Sequence, residues 1–456
     1  MPLISQLWQT QKIKQFNTDS NSKSAPSVRR FYYDFGRIIQ VANACILTPT
    51  TTQMLQEHLA FGFKHNLAMT IRGKGMSQSG QSLPTHHSAV ISMQHINQCK
   101  AVNQQTIWVD ANASWADVLA RTLPHNLMPY VVPYNCNLSI GGVLSVGGIG
   151  ASSFKYGSAA FHVKALEIIQ PDGELVKVAV SHPLAQACLG GQGLFGIIKS
   201  VCLNLRPYQP FIKTFCLVYE NKATWLNDLI KAKSYADYIE SFCSPMNIGS
   251  KITNDGRKPV AKWFYIIHIS LEYTQHAPIL ADLPLSPSYL GFEQEDNTQS
   301  FLFRHNTRLH AMKTTGHWQL SHPWYECFVT AQMLENLTQI LTTLPPFYAN
   351  MVQVIPVSAK FPVGFLMMPE AQDVFSVMIL NLGVLKKMLP MCLQSIDYLD
   401  DCFLPQGGKR YLSGFIPRKS PSDWQAHFGE QYPRWRDAKA QFDPKNLLQS
   451  YLFNQL

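Results

Sequence analysis

The residues of this chain best suited to hold an anion are the glycines set around a lysine in Thr70-Ile-Arg-Gly-Lys-Gly-Met-Ser-Gln-Ser-Gly-Gln81. Gly73 and Gly75 let the backbone take positive φ and turn several N–H groups toward one point, a nest for phosphate oxygens. Lys74, Ser77 and Gln81 add side-chain donors, and such a loop after a strand suits a diphosphate. The spacing lacks a glycine at 78, so it is not the GxGxxG fingerprint, and no Gly-Lys-Ser/Thr P-loop is present. Two more glycine clusters strengthen the reading: Ser139-Ile-Gly-Gly-Val-Leu-Ser-Val-Gly-Gly-Ile-Gly150 and Leu189-Gly-Gly-Gln-Gly-Leu-Phe-Gly-Ile-Ile198.

The elements that must position these loops follow from periodicity and capping. Thr50-Thr-Thr-Gln53 has a capping-box pattern, and Leu55, Leu59 and Phe63 follow at helical spacing, which predicts a helix over about 51–66. It feeds a strand into the nest loop. Residues 88–93 and 105–110 read as strands. Ser114 caps a helix from Trp115 to Leu123 that Pro124 stops. Residues 164–170 and 174–179 flank Pro171-Asp-Gly173 as a hairpin, and a strand over 197–205 closes this region. From about 208 to 404, strands at 263–270, 351–355 and 374–380 alternate with helices at 224–235 and 331–344, and 277–299 reads as a proline-rich loop. This predicts a second α+β domain with an antiparallel sheet under helices. The tail from Lys409 returns to the first domain.

With 456 residues, 46% hydrophobic and 15% charged, the chain is long enough for two domains and too apolar for disorder. The net charge of +9 comes from scattered lysines and arginines, which argues against nucleic acid as a partner. The ten cysteines lie far apart, with no CxxC and no zinc spacing. They read as buried thiols of a reducing compartment, and no metal site is expected. No stretch of about 18 apolar residues predicts a membrane span. The start, 1–30, is polar with Asp19 as its one acid, and has no secretory h-region. A tail or added helix is expected there and a cytoplasmic location, with organellar import left open.

In order, the three clusters resemble the FAD-linked oxidases that share the two-domain, PCMH-type fold of vanillyl-alcohol oxidase, and among them the cytokinin dehydrogenases most. Further matching stretches are Trp115-Ala-Asp-Val-Leu-Ala-Arg-Thr-Leu123, His322-Pro-Trp324, Ser422-Asp-Trp-Gln-Ala-His-Phe-Gly429 and Phe442-Asp-Pro-Lys-Asn-Leu-Leu448. The resemblance implies an α+β chain with an FAD-binding domain over 31–207, a substrate domain over 208–404, and a segment over 405–456 that returns to the FAD domain. It implies FAD along Arg72, Gly73, Lys74, Gly75, Met76, Ser77 and Gln81, then along Ser139, Gly142, Ser145 and Ile149, with Ile198 toward the adenine side and Tyr411 toward the flavin ring. It also implies hydride transfer from a C–H next to an amine to flavin N5, with N6-isopentenyl adenines as the leading small-molecule substrates. Oxygen and a quinone-like acceptor both stay open.

Two positions depart from the family. Met76 stands where a histidine usually bonds the flavin covalently, so non-covalent FAD is expected; His86 and His87 lie too far along to substitute. Tyr134 stands at the family's catalytic aspartate, and a phenol is a poor base near neutral pH. The other family acid matches Glu240 in Asp237-Tyr-Ile-Glu240, so Tyr134 and Glu240 are expected to position the substrate, with Trp324 walling the pocket. Two alternatives stay open: a flavin enzyme acting on a polyol, sugar or lactone, and a non-catalytic flavin-binding protein.

Overall fold

A parallel sheet carries the nest loop. The computed structural model describes residues 30–41, 45–85, 88–254, 256–360, 362–417 and 419–454. Residues 1–29, where a tail or helix is expected, and His86 and His87 lie outside that set. Strands β1 (Cys45–Leu47), β2 (Met69–Arg72) and β3 (Ala89–Ser92) pair in parallel in the order β1-β3-β2. All of β3 and most of β2 are buried, as expected of parallel strands covered on both faces. The helix Thr52–His65 lies between β1 and β2 and buries Leu55 and Leu59. Its cap is Thr51, one residue later than the capping-box pattern suggests. The Thr51 hydroxyl accepts from the Met54 N–H, and no glutamine stands at the third helical position to complete a box.

The second sheet is antiparallel. It runs β4 (Cys99–Asn103), β5 (Thr106–Asp110), β9 (Ile197–Pro207), β7 (Val163–Ile169) and β8 (Leu175–Ala179), and β6 (Leu127–Pro129) also pairs with β9. The β7–β8 hairpin turns at Gly173, whose φ is +92°. A Cβ there would meet the Gln56 carbonyl at 2.6 Å, so the turn needs glycine for its conformation and for its contact with the first helix. Ser114 and Asp117 form a full capping box on the helix Trp115–Thr122. Pro124 does not end that helix outright; it sits in a further 3-10 turn, Leu123–His125.

The third sheet has eight antiparallel strands, in the order β13 (Tyr289–Asn297), β10 (Phe211–Tyr219), β12 (Gly256–Tyr273), β11 (Tyr238–Thr253), β15 (Val352–Val357), β16 (Val374–Ile379), β14 (Tyr325–Thr330) and β17 (Lys409–Arg410). Two sequence expectations need correction here. The segment expected as a loop over 277–299 contains β13, an edge strand exposed along most of its length. Without a buried face it has no alternating apolar pattern, and Glu293, Glu295 and Asp296 keep its free edge charged. The expected helix over 331–344 is a 3-10 stretch, Gln332–Asn336, followed by a short helix, Leu337–Thr343.

Alternation along the strands separates the two faces of this sheet. Tyr325, Cys327, Val329, Val354 and Val377 pack with Trp225, Leu229, Leu337 and Ile396 from the covering helices. Phe328, Ile355, Val357, Val374 and Met378 turn the other way, onto Ile149 and Tyr411.

The C-terminal tail threads back to the parallel sheet. The Met69 N–H donates to Leu447 O at 2.7 Å, and the Gln449 N–H donates to Met69 O at 2.9 Å. Trp424, Phe428, Trp435 and Phe453 join the core of the first two sheets. Each of the ten cysteines is free. Among the described residues no helix is long and apolar enough to cross a membrane, and no group of three or more metal-ligating side chains occurs.

Asp443 locks this tail. Its fully buried carboxylate accepts the Leu447 and Leu448 N–H groups at 2.9 and 2.8 Å and pairs with Lys439 at 2.6 Å. Asp443→Ala leaves two amides without their acceptor and a largely buried ammonium, still bonded to Leu194 O and Leu448 O, without its counter-ion, and is expected to lower stability by about 3–5 kcal/mol. Chemical denaturation followed by tryptophan fluorescence checks this; an unchanged midpoint would contradict it.

Candidate functional site

The nest loop is held from behind. Phe35 N donates to Gly75 O at 2.9 Å and Gly36 N to Ser77 O at 3.2 Å, so two of the loop's carbonyls are tied to the segment before the first strand. Asp34 lies in the same segment. It accepts the Gly80 N–H at 2.7 Å and the Ser77 hydroxyl at 3.3 Å. Burial pushes its carboxyl up to about 7, against the opposing pull of the Gly80 N–H and the Arg72 guanidinium. With the carbonyls turned outward and Gly75 at φ +70°, the N–H groups of Lys74, Gly75, Met76, Ser77 and Gln78 donate to no acceptor among the described residues. Five free amides on one short loop fit an anion.

Arg72, expected along the cofactor, lies elsewhere. Its guanidinium folds under the loop and donates to Arg30 O and Tyr33 O at 2.8 Å each, and to Ser82. It supports the nest from behind and does not line the cleft. A Cβ on Gly75 would come within 2.3 Å of it, a second reason for glycine there. Gln81 is also engaged: its carboxamide accepts the Ser79 N–H and donates to Leu412 O at 2.9 Å, which ties the loop to the C-terminal segment.

All three glycine clusters open on one cleft. About 190 Å³ of cavity lies between walls that include Gly73, Lys74, Gly75, Met76, Ser77, Gln81, Ser139, Gly142, Ser145, Ile198, Leu412 and Ser413. The short helix Ile140–Val146 brings Gly142 beside Ser139, and a Cβ on either Gly73 or Gly142 would sit 2.7 Å from the Ser139 hydroxyl oxygen. The bare Cα atoms therefore let two backbones meet at one serine. Near Gly73 the buried Asn112 carboxamide oxygen has no partner among the described residues. The third cluster rests on the second through Gly190 N to Leu144 O and Gln192 N to Ser145 O, both 2.9 Å, and Gly193 faces open space at φ +76°. Free amides, bare glycines, an unpaired amide oxygen and a long cleft fit a dinucleotide. Ile149 is not on its wall; it packs with Phe328, Ile355 and Tyr411.

The substrate-side candidates sit where the first region meets the third sheet. The Tyr411 hydroxyl accepts the Gly148 N–H at 3.1 Å and is buried, which pushes the phenol well up, so it stays neutral. Glu240 on β11 pairs with Arg304 Nε at 2.8 Å and His305 Nε2 at 2.9 Å. Burial alone would raise its carboxyl, but the Arg304 charge and the His305 contact outweigh that and hold it below the usual carboxylate range. The His305 ring meets Tyr134 edge-on, 5.0 Å between centroids. The Tyr134 hydroxyl is enclosed without a partner among the described residues, and burial together with the Glu240 charge raises it well above an ordinary phenol. Tyr134 and Glu240 are thus brought together, one as a neutral phenol and the other as a carboxylate with both oxygens engaged. Trp324 lies elsewhere. Its indole N–H donates to Asn381 O at 2.7 Å and its ring abuts Phe35, behind the nest loop.

Sequence reasoning missed Asp34, Asn112, Arg304, His305 and Ser413. Only Arg304-His305 left a local signal, a basic pair directly after the apolar run Phe301-Leu-Phe303. The others act through contacts distant in the chain.

Comparison with known proteins agrees with this geometry. The FAD binding domain family matches residues 43–179, and the family described as cytokinin dehydrogenase 1, FAD and cytokinin binding, matches residues 260–450. The chain is 28% identical to cytokinin dehydrogenase 7 of Oryza sativa subsp. japonica, over 92% of this chain and 88% of that one. It is 25% identical to cytokinin dehydrogenase 1 of Arabidopsis thaliana, over 91% and 79%. With an uncharacterised oxidoreductase in the fasciation locus of Rhodococcoides fascians it shares 27% identity, over 91% and 94%. The fold is the two-domain PCMH type, and the cofactor is FAD.

Gly73→Ala tests the close approach at Ser139. Its Cβ would displace the serine hydroxyl at the cleft wall, so the FAD dissociation constant is expected to rise about tenfold, equivalent to ~1.4 kcal/mol. Titration of flavin fluorescence measures this, and far-UV circular dichroism should be unchanged. Wild-type affinity in the variant would contradict the close-approach argument.

Proposed function

We propose that the chain is an FAD-dependent oxidoreductase of the cytokinin dehydrogenase type that oxidises a C–H bond next to an amine nitrogen, with N6-isopentenyl adenines as the leading substrates. One observation carries this reading: the cleft lined by the free amides of the nest also reaches Leu412 and Ser413, in the region that matches the family's FAD and cytokinin binding. Bound FAD supplies the acceptor of the hydride. The chain supplies position. Glu240, kept ionised by Arg304 and His305, offers an acceptor for a substrate N–H; Tyr134, kept neutral, offers a hydroxyl whose hydrogen has no other acceptor among the described residues. Neither group suits proton abstraction, so in this reading both orient the substrate.

We further propose that FAD is held without a covalent bond. Met76 lines the cleft at the position where the resemblance places a flavin-linking histidine, and a thioether cannot make that bond. Binding then rests on the nest amides and on burial.

Two measurements test these readings. Under anaerobic conditions N6-isopentenyladenine should bleach the flavin absorbance within the time of a turnover. Bleaching by a xylitol-type polyol and not by the adenine would overturn the substrate class. After acid precipitation the yellow colour should pass into the supernatant; colour that stays in a washed pellet would overturn non-covalent binding.

A further inference from the structure

Tyr134 is neutral and Glu240 ion-paired, so a group that holds and releases a proton near neutral pH must be another buried acid within one hydroxyl of the cleft; Asp34, behind Ser77, is one. Glu326 on β14 has the required surroundings. Tyr325 and Cys327 turn into the helix-covered side of the sheet. Glu326 turns the other way, with Phe328, toward the face that meets Ile149 and Tyr411. Its side chain is buried, and one carboxyl oxygen accepts the Ser413 hydroxyl, which lines the cofactor cleft.

The charged and titratable neighbours leave this carboxyl without a counter-ion of its own. Arg410 on β17 is the nearest cation, but its guanidinium pairs with Asp400 at 2.9 Å and donates to the Glu326 and Phe415 backbone carbonyls. The Tyr411 phenol is pushed up by burial and by Glu326 itself. Met378 across the strand pair and Gly414 above the side chain carry no charge. Lys74 is the only charged side chain among the described residues that line the cleft. Burial pushes the Glu326 carboxyl up to about 7, with the Ser413 bond and Arg410 pulling the other way.

We propose that Glu326 is the proton-holding group of the cofactor cleft, coupled to bound flavin through the Ser413 hydroxyl. Bound flavin would supply a two-electron acceptor, and with two electrons and one proton added it would carry one more negative charge than before. The two electrons come from the substrate C–H in turnover, or from dithionite in the test below. A new negative charge nearby favours the protonated acid, so an ionised Glu326 takes a second proton from water and returns it to water when the electron acceptor removes the two electrons. Glu326 acts through Ser413, so it is a positioning group and not the residue that touches the reacting atoms. The inference rests on FAD in the cleft and not on which substrate reduces it.

The test is the flavin midpoint potential of the full-length, FAD-loaded protein, titrated with dithionite against redox dyes across roughly pH 5.5 to 9. Below about pH 7 the wild type should take up one proton per two electrons, because Glu326 is already protonated. Above about pH 7 it should take up two, until the acid is ionised in both redox states. Glu326→Gln should show a smaller excess over one proton above about pH 7, with Asp34 the acid that remains. A steep region that persists unchanged in Glu326→Gln would overturn the proposal, as would its absence from the wild type. Should Glu326→Gln fail to hold flavin, Ser413→Ala decides. A narrowed or displaced steep region supports the coupling, and a profile identical to the wild type refutes it. Failure of an adenine to bleach the flavin would sink the substrate reading while leaving these profiles unaffected.

Discussion

A peptide loop offers several N–H groups to one ligand only when its carbonyls are occupied on the other side. In this chain the residues that occupy them are Phe35 and Gly36, whose N–H groups hold Gly75 O and Ser77 O, while Asp34 holds Gly80 N. Arg72 fills the space beneath, bonded to the carbonyls of Arg30 and Tyr33. The loop is therefore rigid before any ligand arrives, and its free amides cost little to organise at binding. The buried side chains of Arg72 and Asp34 that support it lie behind it, where they set backbone geometry.

The rest of the fold builds walls around that point. The C-terminal segment crosses the nest through Gln81 to Leu412 and Ser79 to Gly414, so Leu412 and Ser413 close one side of the cleft. The same segment is anchored at β17 to the edge of the third sheet and, further on, to Met69 at the start of β2. One stretch of chain thus ties the sheet that carries Glu240 and Glu326 to the strand that leads into the nest. Its polar contacts converge on the cleft from both sides, and this is how residues hundreds of positions apart come to share one cofactor site.

Local chemistry made much of this legible in the sequence. Positive φ at Gly75, though not at Gly73, the turn at Gly173, the capping box at Ser114 and the alternating strands of the antiparallel sheets follow from short-range rules. What escaped depended on distant contacts. The family resemblance placed Arg72 along the cofactor, and only the fold shows its guanidinium turned under the loop. The edge strand β13 lacked a signal because most of its residues face solvent. The pairing of Tyr134 with Glu240 could be anticipated by likeness to a family, whereas the two cations that occupy Glu240 could not. Glu326 and Ser413 are 87 positions apart and carried no pattern at all.

The site's electrostatics then divide the labour. Glu240 is a fixed anion, Tyr134 and Tyr411 are fixed neutral phenols, and Glu326 and Asp34 are acids free to change state near neutral pH. The roles proposed for them presuppose a flavin lying against the unpaired amides of Lys74 to Ser77. The most direct measurement is a titration of flavin-free protein with FAD, read by quenching of flavin fluorescence and by the visible absorbance of the complex. The account predicts saturation at one flavin per chain and an absorbance spectrum altered from that of free FAD. Protein that stays colourless and leaves the fluorescence unchanged would contradict it.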